Sequence, residues 1–152
     1  MEHRISHDNM DDILKKLEDD YIQVLVQNES TTVEDFIEQF LYDSWDYNHQ
    51  NMDLIKAVMR RYSQGDVHPV TFSGAFKEMA DHLQKNLAQL DHEHNYPMLH
   101  TGLGTTTLVA IIDGMVVQYY TGTYSIEDLK NKTPQLKSMI LNALSTQDMR
   151  NL

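Results

Sequence analysis

Residues 105–122 read TTTLVAIIDGMVVQYYTG, an almost wholly apolar run with one Asp and one Gly at its centre. It admits three readings: a membrane segment, a core strand, or a helix covered on more than one side. The strongly apolar part, Leu108 to Val117, falls far short of the ~20 residues a membrane helix needs, and Asp113 interrupts it. Alternation of period two is only local here and recurs nowhere else in the chain. Wound as a helix, the run sorts into faces. Leu108, Ile112, Met115 and Tyr119 form a large side suited to a core, while Thr107, Ala110, Ile111, Gly114, Val117 and Gln118 form a smaller, flatter one. A helix that is apolar nearly all round is buried on more than one side, and small residues at helical spacing let another helix come close. Two covers are open: the interior of a monomeric bundle, or a second copy of the chain across a two-fold axis.

The rest of the chain has 152 residues, which suits one domain, read as 1–152, with 41% apolar residues for its core. With only 6 Gly and 3 Pro there are few turns, which favours long helices over many short strands. The formal net charge of -11 repels phosphate backbones and anionic membranes, so neither nucleic acid nor a membrane is expected as a direct partner. The acids are spread along the chain, so disorder is not implied. The absence of Cys excludes disulfides and thiolate zinc sites and fits a reducing, cytoplasmic setting. MEHRISHDNMDD has no apolar stretch of the secretory kind.

Apolar spacing places about six helices. Ile13, Leu14, Leu17, Tyr21, Val24 and Leu25 mark a first helix ending near Asn28. Thr31 and Glu34 fit a capping box for a second, whose stripe runs from Val33 to Trp45 before a polar break at 48–51. Met52 to Tyr62 gives a third, closed by Gly65. Pro69 opens a long fourth helix, and Pro97 can open a fifth that continues to Thr121, with Gly122 as its stop. Ser125 and Asp128 cap a last helical region, within which Thr133-Pro134 looks like a new start. The expected class is all-α.

TLVAIIDGMVVQYY, followed by the acidic turn SIEDL and the amphipathic LKSMILNAL, resembles the C-terminal regulatory domain of TetR-type transcriptional regulators. The order of helices is similar over most of the chain, and NMDDILKKLEDDY resembles the linker helix that follows the DNA-binding domain in that family. The family's N-terminal helix-turn-helix has no counterpart here, so DNA would be reached only through a domain absent from this chain. The resemblance implies a homodimer whose last two helices build a four-helix interface. It also implies a pocket, enclosed by the first four helices and the core side of the fifth, for a small-molecule effector that shifts the linker helix.

On that basis the candidate ligand residues are Tyr42, Trp45, Met59, Tyr62, Phe72, Phe76, Met79 and Met115, since aromatics and methionines make adaptable apolar pockets. Each of them also suits an ordinary core. The expected ligand is medium-sized and mostly apolar. The interface candidates are Thr107, Ala110, Ile111, Gly114, Val117, Gln118, Leu136, Met139 and Ile140. Asp113 lies between the two faces, and an edge or structural role is placed ahead of ligand contact. LDHEHNYPMLH holds His92, His94 and His100, but its spacing is not that of a zinc site and a solvated turn is expected, with no metal and no cofactor. No phosphate loop, nucleophile motif or paired inward carboxylates point to an enzyme. The other class considered is a helical dimerisation module with a filled core and no pocket.

Overall fold

The computed structural model describes the backbone of residues 7–64 and 69–147, and the side chains of 12–60, 63–64 and 77–147. Among the described residues there are six α-helices and no strand: α1 His7–Gln27, α2 Val33–Gln50, α3 Met52–Ser63, α4 Pro69–Leu90, α5 Leu103–Tyr120 and α6 Ile126–Leu144, with a 3-10 turn at Pro97–His100. No helix among them is long and apolar enough to cross a membrane. The all-α class is as expected, and several boundaries show why the chain turns where it does. Gly65 lies outside the described residues.

At the start of α2 the cap is Thr32, one residue later than expected. Its hydroxyl accepts from the Asp35 backbone N–H at 3.1 Å, which frees Glu34 to accept from the Tyr96 hydroxyl. α2 also runs through the expected break at 48–50 and ends only at Asn51, because Asn48 is buried and hydrogen-bonded rather than solvated. Gly122 does end α5. At φ +82 it lets Thr123 N–H reach Gln118 O at 2.9 Å and Gly122 N–H reach Tyr119 O at 3.1 Å, which helps to satisfy the last carbonyls of the helix.

Two expectations are corrected. Pro97 opens only the 3-10 turn, and α5 begins six residues later, at Leu103, after Gly102 turns the chain left-handed at φ +39. The turn stays short because it packs on α5 at Gly104, where a Cβ would stand 2.3 Å from Met98 O and 3.1 Å from Leu144 Cδ2. Pro134 likewise starts no helix, since α6 passes through it. A proline inside a helix removes its own N–H and crowds the carbonyl four residues back, here that of Lys130, and both residues are on the exposed side of α6, where the carbonyl can tilt towards water. The Ser125–Asp128 capping box starts the helix upstream, as expected, and Thr133 Oγ1 donates to Leu129 O at 2.7 Å across the same turn.

α2 is the central element. Phe36, Ile37, Phe40, Leu41 and Trp45 are each at most 2% exposed, packed among Leu129, Ile140 and Leu144 of α6, Leu83 and Leu87 of α4, and Leu108, Ile112 and Val116 of α5. α1 lies along α4 and joins this core through Leu25. A second, smaller cluster of Leu14 and Val58, with Leu17, Leu54 and Ala57 around it, ties α1 to α3.

The turn at Gly104 is a sharp test of this packing. Gly104→Ala forces the 3-10 turn away from α5 and is expected to destabilise the fold by about 1–3 kcal/mol, the usual range for overpacking. Thermal unfolding of G104A should therefore drop by several degrees; an unchanged melting temperature would contradict the close approach.

Candidate ligand cavity

The two clusters are separate, and between them lies a cavity of about 480 Å³ walled by α1, α2, α3, α4 and α5. Helical spacing accounts for its walls. From α1 come Leu14, Leu17, Glu18 and Tyr21, and from α5 come Val109, Ile112, Asp113 and Val116, so each stripe carries apolar residues at i, i+3 and i+7 and an acid at i+4. α2 supplies Phe40, Tyr47 and Asn48, α3 supplies Ile55, Val58 and Met59, and α4 supplies Met79, Ala80 and Leu83. The lining is therefore mostly apolar, with a few polar groups at fixed places, which is the usual make-up of a small-molecule site.

Most of those polar groups are already engaged. Tyr120 OH donates to Asn48 Oδ1 at 2.8 Å, and Asn48 Nδ2 donates to Ser44 O at the same distance. Tyr21 OH pairs with Ser44 Oγ at 2.9 Å, and Tyr47 OH donates to Leu17 O at 3.3 Å. Burial pushes the Tyr21 hydroxyl up to about 12 and raises those of Tyr47 and Tyr120 further, with the Asp113 carboxylate adding to the rise at Tyr21 and Tyr120. These hydroxyls stay protonated and bonded to the protein. Their rings pack edge to face, Tyr21 against Phe40 at 5.8 Å and against Tyr47 at 5.5 Å.

The carboxylates differ. Glu18 is 5% exposed, and among the described residues its Oε1 has no hydrogen-bond partner; Lys15 Nζ stands 3.8 Å away, beyond bonding range, with its side chain largely in solvent. Desolvation, then the neighbouring Glu78 carboxyl, raises Glu18 above the ordinary range. Asp113 is exposed because it faces the open space rather than packed neighbours, yet the surrounding protein desolvates it and raises its carboxyl too, with nothing opposing. Asp113 therefore stands at an exposed edge of α5, as expected, and that edge is also part of the cavity wall.

Of the candidate ligand residues, Met59 and Met79 line the cavity. The side chains of Tyr62, Phe72 and Phe76 lie outside the described residues. Trp45 is fully buried, with its indole N–H on Thr133 Oγ1 at 2.9 Å, so it belongs to the α2–α6 core. Tyr42 and Met115 are half-buried against that core, away from the cavity. Among the interface candidates, Ala110, Gly114, Val117 and Met139 are exposed and Thr107, Ile111, Gln118 and Leu136 half-buried, but Ile140 is 1% exposed and packs inward, so it presents nothing to a partner. Val117 does double duty at the cavity's edge. Glu18 and Asp113 went unread as a pair although a signal existed: each is an acid at a position that the apolar stripe of its helix would fill.

The histidine-rich loop has a structural explanation. Asp91, 3% exposed, accepts from the backbone N–H groups of Asn95 at 2.9 Å and Tyr96 at 3.0 Å and holds His100 Nε2 at 2.9 Å, and His94 stacks on His100. Among the described residues no cluster is arranged to hold a metal.

Compared with models of protein families, with curated proteins and with solved structures, the chain matches none. The chemistry of the cavity has to be derived from its own walls.

Asp113 makes a pH-dependent prediction. A carboxyl whose folded-state pKa is raised loses stability for the fold as pH rises through that value, and the loss vanishes below its ordinary value of 3.8. Asp113→Asn should therefore melt at a higher temperature than the parent at pH 7, with the gap closing towards about pH 4. A gap that is constant with pH would remove desolvation as the cause.

Proposed function

We propose that the chain is the effector-sensing and dimerisation domain of a TetR-type transcriptional regulator, and that a small, mostly apolar molecule binds between α1–α4 and α5. The observation that carries this is the cavity of about 480 Å³, which lies within the size range of small-molecule sites. A dimerisation module without a pocket would have closed that space with side chains, because empty volume in a core is destabilising. The position of α1 supports the same reading. It is a wall of the cavity, and in the resemblance it is the helix that would continue into the DNA-binding domain. A ligand touching α1 and α5 together favours whichever placement of α1 it fits better, and that difference in affinity is the whole of its allosteric leverage.

The outer side of α5 and α6 supports a homodimer. Ala110 and Gly114 are exposed, as are Val117 at 43% and Met139 at 63%, which makes a small, apolar surface for a two-fold mate.

Two experiments test these halves. N-phenyl-1-naphthylamine, a neutral apolar fluorophore, should bind and brighten with the parent protein. Filling the cavity with Ala80→Phe and Val109→Phe should weaken that binding at least about tenfold while helicity by circular dichroism persists; equal binding would place the probe elsewhere. For the dimer, Gly114→Leu is clean because a Cβ there meets nothing within 4 Å in its own chain, and leucine is the better helix former. Sedimentation should show a dimer for the parent and a shift towards monomer for G114L. A parent that sediments as a monomer at micromolar concentration ends the dimer proposal.

A further inference from the structure

The cavity also carries information about the charge of its ligand. Its hydrogen-bonding capacity falls into two groups. The hydroxyls of Tyr21, Tyr47 and Tyr120 and the amide of Asn48 are bonded within the protein. Among the described lining residues, what remains uncommitted is the small Ser63 hydroxyl on α3, Glu18 Oε1 on α1 and the Asp113 carboxyl on α5, and only the last two carry charge, both anionic when ionised. No Lys, Arg or His is among the described lining residues. Lys15, its side chain largely in solvent, reaches Asp19 at 3.2 Å and Glu18 only at 3.8 Å, and Lys56 lies over the Tyr120 ring, 5.6 Å from its centroid. An unpaired acceptor on a buried carboxylate is costly, and Glu18 Oε1 is one; Asp113, exposed to the open space of the cavity, adds a second acid to the same wall, so the positive partner for both is left to be supplied from outside.

The aromatic lining fits the same occupant. With their hydroxyls tied back, Tyr21, Tyr47 and Tyr120, together with Phe40, offer ring surface to the cavity, and ring faces attract a cation. An anionic ligand would meet two carboxylates and no positive group, and a neutral one would leave both acids desolvated.

We infer that the ligand of this cavity is an apolar organic cation, such as a protonated amine or a quaternary onium, held between Glu18 of α1 and Asp113 of α5 against the tyrosine rings. This rests on the sensor reading above and specifies the class of effector. It also supplies a mechanical link: one positive charge shared by acids on two helices ties α1 to α5, so ligand entry acts directly on the helix proposed as the output.

The test uses two probes of nearly identical size and shape and opposite charge, tetraphenylphosphonium and tetraphenylborate, titrated into the whole chain at 0.15 M salt, where the Debye length of about 8 Å screens the general negative charge of the surface. The cation should bind at least about tenfold more tightly than the anion. In the Glu18→Gln, Asp113→Asn double variant that preference should collapse, with cation affinity falling about tenfold or more, as expected for losing charge-assisted contacts. N-phenyl-1-naphthylamine binding, unchanged in the double variant, shows that the variant is folded with its cavity intact. Equal binding of the two ions, or a preference that survives in the double variant, overturns the cationic class while neutral-probe binding leaves the pocket standing. If neither the neutral probe nor the cation binds the parent protein, the pocket reading fails and this inference with it.

Discussion

The hydrogen bond from Trp45 to Thr133 is the constraint on which the arrangement depends. Both side chains are fully buried, and the indole N–H can be satisfied only by donating, here to Thr133 Oγ1 at 2.9 Å. The threonine hydroxyl in turn donates to Leu129 O at 2.7 Å, so donor and acceptor capacity close within a few atoms of each other in the middle of the core. Moving α6 by one residue relative to α2 would leave a buried donor unpaired, at a cost of about 1–3 kcal/mol. The register is reinforced at the rim by Lys130 on Asp46 at 3.0 Å and Lys137 on Glu38 at 3.1 Å, though exposed pairs of this kind add little. With one side of α2 locked to α6, its other side, carrying Phe40, Tyr47 and Asn48, is held where it can wall the cavity.

That rigidity is uneven across the molecule. α2, α4, α5 and α6 share one continuous core, and Tyr120 on Asn48 fastens α5 to α2 beside the cavity. Among the described residues α3 has none in that core; it follows α2 almost without a break and packs through the small cluster of Val58 with Leu14. One side of the cavity is therefore a packed scaffold and the other a lightly attached pair of elements, α3 and the first half of α1. Regions with fewer buried apolar contacts open at lower free energy, so that side opens before the scaffold does.

The fold was legible in the sequence wherever apolar spacing and cap chemistry agreed. The stripe of α2, the Ser125 capping box and the Gly122 stop all read correctly because each is set by residues a few positions apart. The failures were tertiary. Pro134 read as a start because nothing local reveals that it and Lys130, whose carbonyl it deprives, lie on the exposed side of α6. Pro97 read as the start of α5 because the close packing at Gly104 is formed with Met98 and Leu144, and the latter is forty residues away. Trp45 read as a ligand residue because its partner, Thr133, is 88 positions along the chain. Met59 and Met79, named by residue type, do line the cavity, whereas Glu18 drew no reading, since only the facing stripe of α5 makes its position unusual.

The composition of residues 105–122 follows from α5 having three sides to serve. Leu108, Ile112 and Val116 enter the core; Val109, Asp113 and Tyr120 turn to the cavity; Ala110 and Gly114 face outward. A helix with a single buried face would show a polar stripe; the exposed side of this one, Thr106, Ala110, Asp113, Gly114 and Val117, is instead mostly small or apolar. Asp and Gly stand side by side in the run because neighbours on a helix point about 100° apart, so Asp113 and Gly114 occupy adjacent faces with opposite demands. The cavity face carries the Asp113 carboxyl. The outer face keeps the smallest residue, with nothing of its own chain within 4 Å of where a side chain would begin.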